Sequence, residues 1–168
     1  MVKKNNANEP RLQPIIRFLK SITTLASTQD SLKKTILNII AKDESIFTTK
    51  YDISEKYGNN LMEEVSRYAL TGDQIARDRS DFDIIHAHDW LSFPAGIAAK
   101  EISGKPLVAH VHATEFDRSG ESVNKPVYEI ERAGMHAADH VCAVSQLTKN
   151  TIVKKYGVPA HKVSVLHN

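Results

Sequence analysis

From residue 81 onward the chain settles into a rhythm that its first half lacks. Short apolar runs rich in Val and Ile alternate with stretches whose apolar residues recur at helical spacing. The pattern predicts strands at about 83–87, 107–112, 140–144 and 162–166. Helices are expected at about 93–102, from Pro126 through Ala138, and from Gln146 onward. Gly104-Lys105-Pro106 feeds the second strand, Ser145 stands where it would cap the last helix, and Pro159 precedes the last strand. Phe116 to Asn124, with Ser119-Gly120-Glu121-Ser122, reads as a mobile polar loop. Strand–helix alternation with short links implies an α/β fold whose parallel sheet, of about four strands, is built from right-handed crossovers.

The first half reads differently. Residues 1–10 are polar, and Ile15, Phe18, Leu19, Ile22 and Leu25, then Leu32, Ile36, Leu37 and Ile40, mark two amphipathic helices broken at Ser27-Thr28-Gln29-Asp30. Residues 42–58 look irregular, and Tyr57-Gly58-Asn59-Asn60 is a turn and helix-start signal. Leu61, Val65, Tyr68 and Ile75 then predict the inward stripe of a helix ending near Asp78. The expected division is a helical segment over 1–56 and an α/β part over 57–168.

Composition narrows the class. At 168 residues the chain can bury a real core, and a net charge of +2 is too small for a nucleic-acid footprint. No apolar run approaches a membrane span, and no leader-like apolar stretch follows Lys3 and Lys4, so the expected location is the cytoplasm. The one cysteine, Cys142, sits in an apolar run and is expected to be a small buried residue in a reducing compartment.

Chemistry concentrates in residues 82–118. The first two predicted strands each flow into a histidine pair, His86/His88 and His110/His112, with Asp89 behind the first and Glu115 and Asp117 behind the second. Strand residues two apart share a face, so each pair can present two imidazoles together at a strand's carboxyl end, where ligands bind parallel sheets. Three readings stay open: a metal site built on the four histidines, as in a metal-dependent hydrolase; a sugar or phosphate site using neutral imidazoles and a carboxylate; and satisfied interior residues. The run His112-Ala113-Thr114-Glu115-Phe116-Asp117-Arg118 is dense in polar groups directly after a strand, which favours ligand contact, although Thr114 or Asp117 could equally cap a turn. Trp90 could stack on a sugar ring, but packing under the sheet edge is the stronger expectation. Glu129 and Arg132 fall on the solvated face of the helix that buries Val127, Ile130, Gly134 and Ala137. There is no glycine-rich phosphate loop and no serine or cysteine nucleophile motif.

The run Phe82-Asp83-Ile84-Ile85-His86-Ala87-His88-Asp89-Trp90 with Phe93-Pro94-Ala95-Gly96 resembles the amino-terminal domain of family 4 glycosyltransferases, GT-B-fold relatives of glycogen and starch synthases. The likeness continues through His110 to Gly120, Tyr128 to Arg132, Ala143-Val144-Ser145, Tyr156-Gly157-Val158 and Val165 to Asn168. It implies a partial Rossmann-like domain facing a cleft in which a nucleotide-sugar donor meets a glycan or other acceptor, with retention of configuration and no cofactor or metal. By resemblance, His112 falls on the histidine that approaches the transferred sugar and Asp89 on an acidic residue of the same cleft. Trp90, Thr114, Glu115, Phe116, Asp117 and Arg118 fall beside them as substrate-facing candidates.

Two departures shape the expectation for the whole chain. The strand and glycine-containing loop that open such domains are not recognisable in residues 1–56, and the carboxy-terminal donor-binding domain would follow Asn168. The chain is therefore expected to be a partial enzyme, supplying the acceptor-side wall and largely inactive alone. The alternatives are a non-catalytic glycan-binding module that works with a separate donor-binding chain and, less favoured, the metal-dependent hydrolase.

Overall fold

The computed structural model describes residues 61–167. The helices expected over 11–41, the turn at 57–60 and the proposed segment 1–56 lie outside the described residues. The described chain runs α1 (Leu61–Asp78), β1 (Ile85–His88), α2 (Asp89–Ser103), β2 (Leu107–Val111), α3 (Glu115–Ser119), α4 (Lys125–Ala137), β3 (His140–Ala143), α5 (Gln146–Tyr156) and β4 (Val163–Val165). A single 3₁₀ turn, Ala160–Lys162, precedes β4. The four strands form one sheet in the order β1-β2-β3-β4, every pair parallel.

That order decides the rest. The crossovers all step the same way across the sheet, and connections of the usual right-handed kind then put α2, α4 and α5 on the same face. The strand residues pointing toward them are Ala87, Leu107, Ala109, Val111, Val141, Ala143 and Val163, and these join Phe93, Ile97, Met135, Ile152 and Tyr156 in the core. Residues between them point the other way: His86 and His88 on β1, Val108 and His110 on β2, His140 and Cys142 on β3, Ser164 on β4. Fully covered parallel strands read as continuous apolar runs, whereas these strands alternate. The histidines are thus the outward half of a period-two pattern. Cys142, expected to be buried, is instead half-buried on this face, because its register neighbours are His110 and Ser164 and not the helices.

Three expectations change in detail. The first concerns α1, where of the predicted stripe only Val65 is buried, while Leu61, Tyr68 and Ile75 are each more than 40% exposed. The helix buries a face made mostly of small residues instead, with Ser66, Ala69, Asp73 and Ala76 inward beside Leu70. A β-carbon added to Gly72 would stand 2.9 Å from that of Ala95 on α2, so the two backbones approach too closely for large side chains between them. Tyr68 and Ile75 line a groove of about 250 Å³ beside β1, the outer strand of the sheet among the described residues, shared with Phe82, Ile84 and Ala99.

The second change is the start of α2. It begins at Asp89, four residues earlier than expected, with Pro94 inside it. A proline there removes one intrahelical donor. The Ser92 hydroxyl turns back to the carbonyls of His88 and Asp89, at 2.6 and 3.2 Å.

The third is the loop after β2, expected to be mobile. It folds into the single turn α3, and Gly120, at a φ of 58°, closes that turn by donating its N–H to the Phe116 carbonyl at 3.0 Å. Ser145 caps α5 as expected, its hydroxyl accepting the Thr148 N–H at 3.0 Å.

Candidate functional site

The carboxyl ends of β1 and β2 meet at Asp89 and His112. Strand β1 passes into α2 with no intervening loop, and Asp89 makes that turn at a φ of 57°, the only positive φ outside glycine among the described residues. Aspartate tolerates the left-handed region better than most residues because its short carboxylate can bond locally. Here the carboxylate reaches the next strand. One oxygen accepts the His112 backbone N–H at 2.8 Å and the other faces His112 Nδ1 at 3.0 Å. An ionised Asp89 needs a proton on Nδ1, which leaves Nε2 of a neutral His112 as an acceptor. Both side chains remain about one-third exposed, so the pair is open to a ligand while held in a fixed geometry.

Around this pair the imidazoles gather. Ring centroids of His88 and His112 lie 5.4 Å apart and those of His110 and His112 4.5 Å apart. His86 stacks on His110 at 5.3 Å with the ring planes 2° from parallel. Burial pushes His110 below the ordinary histidine range, and repulsion from His112, His88 and His86 adds to it, while Asp89 acts in the opposite sense. His86 is pushed down for the same first reason, with His88 and His112 contributing. Imidazoles gathered beside one carboxylate can accept and donate hydrogen bonds to hydroxyl-rich ligands.

The polar run after β2 is tied together by its own side chains. The Asp117 carboxylate reaches back to the Thr114 N–H at 2.6 Å and the Thr114 hydroxyl at 2.8 Å, which makes the turn-capping alternative the observed one. Glu115, only 6% exposed, gathers the loop around itself. It accepts from Arg118 Nε at 3.2 Å, the Ser119 hydroxyl at 2.7 Å and the Asn124 N–H at 3.0 Å. Burial alone would raise the Glu115 carboxyl, but these three donors outweigh it and hold it below the usual carboxylate range. Phe116 packs edge-on against Tyr128 and Tyr156. Trp90 lies against the core, as its packing expectation had it.

Glu131 of α4 ties this loop to the body, and sequence reasoning passed over it in favour of Glu129 and Arg132. It is 2% exposed and accepts from the Glu115 N–H at 3.0 Å, from Arg118 Nη2 and from the Tyr156 hydroxyl. Burial pushes its carboxyl up, against the pull of Tyr156, the Glu115 N–H and Arg118. A signal was present: Glu131 stands one turn after Val127 on the face that also buries Ile130 and Gly134. Of the expected site residues, then, Asp89 and His112 are brought together at the sheet edge. Thr114, Glu115, Asp117 and Arg118 form a braced turn beside them.

Comparison with known proteins agrees on one family. The family model described as Glycosyltransferase Family 4 matches residues 60–168. An uncharacterized glycosyltransferase of Methanocaldococcus jannaschii is 30% identical over 90 residues, which is 52% of this chain and 23% of that protein. The glycogen synthase of Mycobacterium tuberculosis is 27% identical over 125 residues, 67% of this chain and 30% of that enzyme. A D-inositol 3-phosphate glycosyltransferase of Catenulispora acidiphila is 30% identical over 97 residues, 54% of this chain and 23% of that one. The aligned stretch thus spans less than a third of each relative's length. The match takes in the whole described sheet together with the Asp89–His112 pair at its carboxyl edge, and the chain belongs to Glycosyltransferase Family 4.

Proposed function

We propose that this chain supplies the acceptor-side wall of a retaining sugar-transfer site, in which His112 meets the transferred sugar and Asp89 holds His112 in place. The observation that carries the reading is the double contact of Asp89 with His112, at 2.8 and 3.0 Å, on the open carboxyl edge of β1 and β2. Glycosyl transfer develops positive charge on the sugar ring in the transition state. Hydrogen bonds and negative charge already fixed in place stabilise that state more than the ground state. An oriented His112 Nε2 suits a sugar hydroxyl, and Asp89 adds a carboxylate nearby. Phe116 and Arg118 on the braced turn, and Trp90 directly after Asp89, are the further candidates for substrate contact. Family membership supports a nucleotide-sugar donor, and the glycogen synthase among the relatives supports a glucosyl group and a glycan acceptor. Donor-binding residues come from outside residues 61–167, in the same polypeptide or a second one.

The test is a backbone-amide NMR titration of the full chain with glucose oligomers and, separately, with nucleotide sugars. Shifts centred on Asp89, Trp90 and His112 with the oligomers are expected, and a weaker or absent response to the nucleotide. Shifts confined to other surfaces, such as the groove beside β1, would overturn the reading. Efficient glucosyl transfer by this chain alone, from any added nucleotide sugar, would overturn the division of labour between the two walls.

A further inference from the structure

The outward sheet face carries a feature that the sugar-transfer reading does not use. We propose that His86, His88 and His110 form a binding site for one divalent first-row transition-metal ion of the zinc class, clamping β1 to β2. One nitrogen from each ring lies within 4.8 Å of the others. Strand register produces this grouping, because His88 stands directly opposite His110 and His86 precedes His88 by two residues on the same face.

Burial supplies an independent argument. His110 is 5% exposed, and both of its ring nitrogens are buried without a hydrogen-bond partner. Buried polar atoms are nearly always satisfied, so an orphaned imidazole at the centre of a histidine cluster points to a ligand that completes it. No hydrogen bond reaches either nitrogen of this ring. Its neighbours are the rings of His86 and His88, at 5.3 and 5.1 Å between centroids, together with His112. His112 stands outside the triad, since the nitrogens that converge within 4.8 Å are those of His86, His88 and His110.

The geometry is within reach of coordination. Tetrahedral zinc with Zn–N bonds of about 2.0–2.1 Å places its nitrogens roughly 3.3 Å apart. His86 and His88 are exposed and can turn inward by roughly an ångström through side-chain rotation. His110, seated against the sheet, stays as the fixed ligand. Three protein nitrogens leave a fourth position for water or an incoming group. The site needs neither sugar donor nor acceptor and stands independently of the transfer chemistry.

Cobalt(II) is the direct probe, since a tetrahedral nitrogen site gives it intense visible absorption and zinc then displaces it. The full chain, without an affinity tag and stripped by chelator, is expected to take up one equivalent. His86→Ala, on the exposed edge strand, and His110→Ala are each expected to weaken uptake by at least about tenfold. His140→Ala serves as the control on the same face, since His140 Nε2 is engaged with the Ser164 hydroxyl at 2.9 Å. Circular dichroism checks that each variant is folded, and if His110→Ala is not, His86→Ala decides. The proposal is overturned by a folded parent chain that takes up no stoichiometric metal. It is equally overturned by uptake that His86→Ala leaves unchanged, or that His140→Ala weakens as much as the triad variants do.

Discussion

Asp89 does two jobs with one carboxylate, and its substitutions separate them. It turns the chain at a φ of 57° and binds both the backbone and the ring of His112. Asparagine tolerates the same backbone region and keeps an acceptor, so Asp89→Asn is expected to cost about 1 kcal/mol or less. Alanine has neither property. A left-handed alanine costs about 1–2 kcal/mol and an abandoned N–H on His112 about 1–3 more, so Asp89→Ala is expected to lose roughly 2–5 kcal/mol. Urea unfolding compares the two variants, and equal losses would show that the carboxylate does not hold the turn. For sugar binding the order differs: Asp89→Asn, though stable, is expected to perturb the His112 ring resonances, because an amide no longer holds the proton on Nδ1 by charge.

At the scale of elements, the molecule is held by close approaches and by the buried carboxylate of Glu131. A β-carbon added to Gly134 of α4 would stand 2.4–2.5 Å from the Phe93 side chain on α2. Alanine favours a helix over glycine by about 1 kcal/mol. Overpacking of this kind costs about 1–3 kcal/mol, so Gly134→Ala is expected to lower the melting temperature despite its better propensity. A rise would mean that the α2–α4 contact has room. Glu131 is the second device, joining α4 to α3 through Glu115 and Arg118 and to α5 through Tyr156. Glu131→Ala is expected to cost about 2–3 kcal/mol, less than a fully enclosed pair because Arg118 remains partly open to water. Amide hydrogen exchange should show α3 opening first in that variant, whereas uniform loss of protection would assign Glu131 to the core alone.

Over the whole molecule, one sheet face is packed by helices and the opposite face carries the histidines. At the amino end of β2, Asp139 accepts from Lys100 Nζ at 2.8 Å and from the Leu107 N–H at 2.7 Å. The Lys100 hydrogen bond first, and the Leu107 N–H second, hold its carboxyl below the ordinary aspartate value of 3.8. A depressed carboxylate binds fewer protons folded than unfolded, so its contribution is complete above 3.8 and is lost as the pH falls through the lower folded value. Asp139→Asn is therefore expected to destabilise the chain modestly near neutrality and to flatten its acid-side decline. Unfolding free energies measured from about pH 5 down to pH 3 check this, and an unchanged slope would assign the decline to other groups. Among the described residues no helix is long and apolar enough to cross a membrane.

Local information carried most of the element list and the location of the site. Short runs rich in Val and Ile marked the four strands, Ser145 marked a helix start, Gly104-Lys105-Pro106 marked the lead-in to β2, and the two histidine pairs pointed to the carboxyl edge where Asp89 and His112 meet. These are decided within a few residues of chain, by backbone sterics and side-chain spacing, so a single sequence can show them. Other features needed partners distant in sequence. Which face α1 buries was set by Ala95 against Gly72, and a stripe of large residues could not reveal that small ones would be chosen. The loop after β2 looked mobile because its anchor, Glu131, lies 16 residues beyond Glu115 on another helix. The four histidines read alike along the chain. Strand register and the one-directional sheet order divided them, setting His112 beside Asp89 and leaving His110 buried without a hydrogen-bond partner between His86 and His88. Spacing can place a side chain on a face, but only the packed fold decides what covers that face.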